Sequence, residues 1–241
     1  MNKAAAASIT SFTLYHLANS RSQRILWLLE ELELQYQLEI CKVDQNSTTY
    51  QKLKTLSSNP KFPLLHIQCS QTQEYFLSET TAIADYLSQN FQKLGLNNLG
   101  NEEQIDYLYW KNFAESSFMP NMALKQIFAQ IVNKTPFIAK PISMLFKYGF
   151  DKGFLNHALE MQMNEIEVQL GNKQWIAGLE FTVADIILWF PLRACVETSP
   201  KFQTYPNIQR YLQDLESRPA FQIALKKGQW SESVFQQYWN I

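Results

Sequence analysis

The feature that most constrains this chain is a change in the period of its apolar residues near residue 90. Before it, short stretches alternate apolar and polar side chains, the period of a strand, between helical runs; after it only the helical period of about 3.6 survives. Phe12 to His16 alternates, and Asn19, Ser20 and Ser22 then supply cap-type residues before Ile25, Leu28, Leu29 and Leu32 at i, i+3, i+4 and i+7. Tyr36, Leu38 and Ile40 alternate again, which completes a βαβ unit. Residues 44 to 58 are polar and read as loop with room for a short helix. Pro63 to Ile67 and Tyr75 to Leu77 read as a hairpin around the polar turn from Cys69 to Gln73, and Ala82, Ile83, Tyr86 and Leu87 as an amphipathic helix. Beyond the polar stretch from Asn90 to Asn101 come three helical patterns: Ile105, Leu108, Tyr109 and Phe113; Leu155, Leu159, Met163, Ile166 and Leu170; Ile208, Tyr211, Leu212 and Leu215. The expected architecture is an α/β domain over residues 1–92, in the order βαβ-ββα, followed by an all-helical domain over residues 100–241.

Composition narrows the function classes. A chain of 241 residues with 46% hydrophobic residues holds a sizeable core, and only 7 glycines and 9 prolines argue against a turn-dense β-sandwich. Lysine plus arginine number 21 against 22 acids, so net charge gives no reason to expect nucleic acid or an anionic membrane as partner. Three widely spaced cysteines, Cys41, Cys69 and Cys195, draw neither a disulfide framework nor a CxxC site, which fits a reducing cytoplasm. The first ten residues lack an apolar signal core, and the longest clean apolar stretch, Ile186 to Leu192, is too short to span a bilayer. His16, His66 and His157 show no triad or metal spacing and are assigned no role, and no metal is expected.

Five short segments, in order, carry a resemblance. They are Ser20-Arg-Ser-Gln-Arg24, Phe62-Pro63-Leu64-Leu65, Leu77-Ser-Glu-Thr-Thr-Ala-Ile83, Phe181-Thr-Val-Ala-Asp185, and Tyr205-Pro206 through Arg218-Pro219-Ala220. Together they resemble the cytosolic glutathione transferases, and Trp27-Leu28-Leu29-Glu30 resembles the bacterial and fungal branch with a Ser-Arg entry to the first helix. The resemblance implies a thioredoxin-like N-terminal domain and a helical C-terminal domain. It also implies that the thiolate of glutathione, a co-substrate rather than a resident cofactor, is conjugated to hydrophobic electrophiles in detoxification.

By resemblance, Ser20 donates a hydrogen bond to the glutathione sulfur. Its physical setting agrees, because a hydroxyl where a strand hands over to a helix faces the helix's positive end, where a thiolate is favoured. The alternative is that Ser20 only caps the helix. Tyr15, near the end of the first strand, is the rival catalytic residue used by other branches, or else a packed strand aromatic. The resemblance makes Phe62-Pro63 a cis pair whose backbone meets the glutathione cysteine. The family often has Pro-x-Gly-Lys upstream, whereas this chain reads Ser58-Asn59-Pro60-Lys61, which alters that loop. Glu79 would pair with the γ-glutamyl ammonium and Thr80, with the helix's free N–H groups, would receive the γ-glutamyl carboxylate; a plain capping pair is the alternative. Thr182-Val-Ala-Asp185 reads as a structural capping box, and Pro191 as a kink in the helix it starts.

For the electrophile the resemblance points to the first-domain edge and second-domain helices, with Phe118, Met119, Met122 and Phe146 as candidates. Phe146 lies in the apolar segment Phe137 to Phe150, which reads equally as a cover over that site or as buried core. A homodimer through the Tyr86 and Ile105 helices is also implied. The alternative function is a glutathione-binding or stress-related interaction protein of the same fold without conjugation activity.

Overall fold

The computed structural model describes residues 9–42, 48–56, 61–70 and 73–240. They form two compact units, Met1–Asn97 with Ser217–Ser231, and Asn98–Glu216 with Glu232–Ile241.

In the first unit, strand β1 (Ser11–Leu17), helix α1 (Gln23–Glu31) and strand β2 (Gln37–Cys41) make the expected βαβ unit, and β1 and β2 run parallel because the helix supplies the crossover. Helix α2 (Thr48–Leu56) occupies the stretch whose polar composition gave little helical pattern; Leu53 is its buried anchor, packed with Tyr15, Cys41 and Leu64. Strands β3 (Leu64–Ser70) and β4 (Gln73–Ser78) form the expected antiparallel hairpin, and helix α3 (Thr80–Phe91) follows. The sheet order is β2-β1-β3-β4, the thioredoxin-like arrangement. Pro60 and its neighbours Ser58 and Asn59 lie outside the described residues.

The second unit is helical: α4 (Asn101–Phe113), α5 (Met119–Lys134), α6 (Lys140–Phe150), α7 (Asn156–Asn172), α8 (Val183–Thr198) and α9 (Pro206–Glu216). Helix α10 (Pro219–Lys227) departs from the sequence reading by clustering with the first unit, and α11 (Glu232–Trp239) returns to the second. Single π-helical turns, Ala114–Phe118 and Asp151–Leu155, join α4 to α5 and α6 to α7.

Helix α10 explains why α1 is buried from Gln23 to Leu29 rather than along one stripe. The sheet takes one side and α10 the other, with Trp27 edge-on to Phe221 at 4.9 Å. Two acids at the end of α1 are paired there. Glu31 accepts two hydrogen bonds from the Arg218 guanidinium, at 2.6 and 2.8 Å, and Glu30 one from Lys227 at 2.6 Å.

In the second unit the stripes of α7 and α9 are buried as expected. Helix α4 is rotated from its expected face: Tyr107, Trp110 and Phe113 are buried, while Ile105, Leu108 and Tyr109 face outward. The segment Phe137 to Phe150 is not core, since α6 buries no residue and Phe146 is 69% exposed.

Candidate functional site

The sheet register gathers three of the predicted positions at one end. Tyr15 of β1 lies opposite Leu64 of β3, and Leu64 opposite Ser78 of β4, so this row closes the sheet. Just past it lie the turn carrying Ser20, the Phe62-Pro63 pair and the Glu79-Thr80 pair. Antiparallel pairing is the reason, because β3 begins at the end where β1 and β4 finish.

Ser20 is half-buried in the turn between β1 and α1. Asn19 before it takes a left-handed conformation, φ 53°, which asparagine tolerates, and its Oδ1 accepts the Ser231 N–H at 2.7 Å. Ser20 Oγ accepts the Ser22 N–H at 3.2 Å and lies 2.8 Å from the Leu17 carbonyl and 2.9 Å from Ser22 Oγ. Behind it, Ser22 Oγ is 2.8 Å from His16 Nδ1, and His16 Nε2 is 3.0 Å from the Gly228 carbonyl.

The partners fix the protons of His16 and Ser22. The Gly228 carbonyl can only accept, so a neutral His16 carries its proton on Nε2 and leaves Nδ1 as acceptor. Ser22 therefore donates to His16, while its oxygen accepts the Leu17 N–H at 3.1 Å. With its one proton committed, Ser22 cannot donate to Ser20, and the 3.0 Å approach of Ser22 Oγ to the Leu17 carbonyl carries no proton. Ser20 is thus left as a donor, toward Ser22 Oγ or Leu17 O, with its proton free to turn to a stronger acceptor. Burial holds the His16 pKa below its ordinary 6.5, against the opposing pull of the Gly228 and Ser22 hydrogen bonds, which keeps the ring neutral.

Sequence reasoning assigned His16 no role, read Ser22 only as a cap-type residue and passed over Gly228. A Cβ at Gly228 would stand 3.0 Å from His16 Nε2 and 2.3 Å from Gln23 Oε1, so only glycine lets that carbonyl approach the ring. The signal available was a histidine among apolar strand residues, six positions before Ser22; its glycine partner lies 212 residues on. Tyr15 is buried and packs with Cys41, Leu53 and Leu64.

The Phe62-Pro63 peptide is cis, as expected, and Phe62 packs on the Tyr15 cluster. Glu79 sits at φ 71°, ψ 121°, a backbone region that costs a residue with a Cβ about 1–3 kcal/mol. No side-chain cap closes the start of α3, and Thr80 is buried there. Its first N–H groups keep their partial positive charge, an arrangement suited to a carboxylate. The Glu79 carboxylate stands 3.4 Å from the Lys61 ammonium, both well exposed, so it already serves as a partner for a cation.

Of the electrophile candidates, Phe118 and Met122 are fully enclosed in the helical unit and Met119 nearly so; Phe118 stacks on Phe113 at 5.8 Å. Phe146 is exposed. The structure does not bring these four side chains to one open surface. All three cysteines are free and buried; burial pushes the Cys41 thiol up to about 11 and the Cys195 thiol further, so neither is a ready nucleophile.

Comparison with known proteins accords with this geometry. The family model for the glutathione S-transferase N-terminal domain matches residues 10–89, and that for the C-terminal domain residues 155–219. Glutathione S-transferase 3 of Schizosaccharomyces pombe is 31% identical over 89% of this chain and 86% of its own. The Escherichia coli disulfide-bond oxidoreductase YfcG is 25% identical over 90% and 95%. A crystal structure of a glutathione S-transferase from Actinobacillus pleuropneumoniae superposes with a TM-score of 0.69, at 28% identity, over 90% of this chain and 93% of the other. The ordered segments, the sheet with its cis proline and these likenesses identify the chain as a member of the cytosolic glutathione S-transferase family.

Proposed function

We propose that this protein binds glutathione at the sheet end described above and conjugates its thiolate to hydrophobic electrophiles, a detoxifying activity suited to the cytoplasm. What carries the reading is the donor polarity of Ser20. A free thiol has a pKa of about 8.5, so a hydroxyl that must donate favours the thiolate and raises the share of nucleophile at neutral pH. The thiolate sulfur attacks the electrophilic carbon, the C–S bond forms, and the leaving group departs with its bonding pair. Glu79 takes the γ-glutamyl ammonium, releasing Lys61, and Thr80 with the open start of α3 takes the γ-glutamyl carboxylate. The Phe62 backbone pairs with the cysteine of the tripeptide, and the working form is a homodimer.

Retention on immobilised glutathione combined with an aryl-halide conjugation assay tests this. Ser20→Ala is expected to lower turnover at least about tenfold, the effect of one lost hydrogen bond of about 1.5 kcal/mol to a charged group, with retention nearly unchanged. Near-normal turnover in Ser20→Ala, with Tyr15→Phe crippled, would transfer the role to the tyrosine.

A second reading takes support from the YfcG likeness: the same thiolate attacks a disulfide sulfur and expels a thiolate in place of a carbon-bound leaving group. Parallel assays with an aryl halide and a small-molecule disulfide separate the two. Retention without either activity would favour the noncatalytic alternative.

A further inference from the structure

Helix α6 is amphipathic with its apolar side turned outward. Its inward line is Lys140, Ser143, Lys147 and Phe150, spaced i, i+3, i+7, i+10; only Phe150 is apolar, meeting Phe128 at 4.4 Å, and Lys147 turns in to pair with Asp151 at 2.7 Å. The outward side of α6, with the turn Phe137–Ala139 before it, presents Phe137, Ile138, Ile142, Leu145 and Phe146. Phe137 and Ile138 are 90% and 93% exposed. Side chains so bare have almost no protein neighbours, so they stand out as a convex point and line no groove.

Charge is skewed around this point. Between Glu115 and Glu160 the chain holds five lysines and one aspartate, within a protein of net charge -1. Asp151 faces Lys147 and Lys125, at 2.7 and 3.9 Å, which leaves Lys134, Lys140 and Lys152 without an acidic partner among the described residues. The overall balance that argued against an anionic membrane conceals a local cationic patch.

We propose that the Phe137–Ala139 turn and α6 form a peripheral docking point for a bilayer bearing anionic headgroups. The apolar tip enters the boundary between headgroups and acyl chains, and the exposed Lys134 and Lys152 meet lipid phosphates and carboxylates. Two observations select lipid over a second copy of the chain. An isologous contact would bring the same unpaired lysines against their own copies, and like charges repel. A convex tip needs a matching groove in a protein partner, whereas fluid acyl chains close around it without one. Docking is peripheral, because no described helix is long and apolar enough to cross a membrane. It is independent of the glutathione chemistry.

Flotation of the full chain with phosphatidylcholine vesicles containing about one-third phosphatidylserine is the test. The protein should float with these vesicles, and at least about tenfold less should float with phosphatidylcholine alone or after Lys134→Glu with Lys152→Glu. Phe137→Asp with Ile138→Asp should cost at least about tenfold in bound fraction, with circular dichroism and Tm unchanged because both positions are exposed. Absence of flotation, or flotation indifferent to lipid charge or to the aspartate pair, overturns the proposal. A fall in Tm of more than a few degrees in the aspartate variant does so too, since the tip would then be packed against the fold. If the aspartate pair instead dissociates an assembly that ignores vesicles, the face is a contact between copies.

Discussion

Ser20 acquires its donor polarity through Ser22 of its own motif and through His16 and Gly228, which lie outside it. The Gly228 carbonyl sets the tautomer of His16, the tautomer commits the proton of Ser22, and that leaves the Ser20 hydroxyl proton to be donated. The neutrality of His16 has a consequence for stability. Below its ordinary pKa of 6.5 the unfolded chain takes up a proton at this residue that the folded chain, with its lowered pKa, resists. Stability from this site is therefore complete above about pH 6.5 and lost as pH falls below it, by up to about 1.4 kcal/mol per pH unit for one proton. Denaturant midpoints measured between pH 7 and 5 should fall more steeply in the wild type than in His16→Gln, and turnover of that variant should drop while glutathione retention persists. Equal slopes would mean that His16 titrates alike folded and unfolded, and the assigned proton arrangement would be wrong.

At the scale of the element, the start of α8 shows how a capping motif becomes a hub. Thr182 and Asp185 form the expected reciprocal box, with Thr182 N–H to Asp185 at 2.8 Å and Ala184 N–H to Thr182 Oγ1 at 3.2 Å. The fold adds the Ile176 N–H and the Tyr211 hydroxyl, each 2.8 Å from Asp185 Oδ1, and the Thr182 hydroxyl at 3.0 Å from Oδ2. Burial raises the Asp185 pKa against the pull of these donors, and the group has no exposed surface. Asp185→Ala would strand several buried donors at about 1–3 kcal/mol each, so a loss of about 3 kcal/mol or more is expected. In a chain of this size that lowers Tm by about 6–12 °C, readable by calorimetry. A shift under about 2 °C would reduce the box to an ordinary surface cap.

For the whole molecule, the outward face of α4 bears on assembly. Ile105 is 68% exposed, and Leu108 and Tyr109 nearly half, on a helix whose other side is well buried. Ile105→Glu with Leu108→Glu should convert the proposed dimer to monomer in sedimentation velocity without lowering the monomer's helicity; a wild type already monomeric at micromolar concentration would refute the dimer. The order of strands and helices, the capping box and the stripes of α7 and α9 were legible in the residues, because periodicity and local side-chain to backbone bonds are properties of adjacent sequence. Ser20, Pro63 and Glu79 were picked out by the family resemblance, which itself rests on short stretches of adjacent sequence. What adjacent sequence does not contain is the far partner. The pairing of His16 with Gly228, the closing of α1 by α10, the burial of Tyr107 rather than Leu108 on α4, and the outward turn of α6 depend on which surfaces meet when distant segments pack. An apolar residue marks a face that leaves water somewhere, but only the tertiary structure decides whether it does so against its own chain.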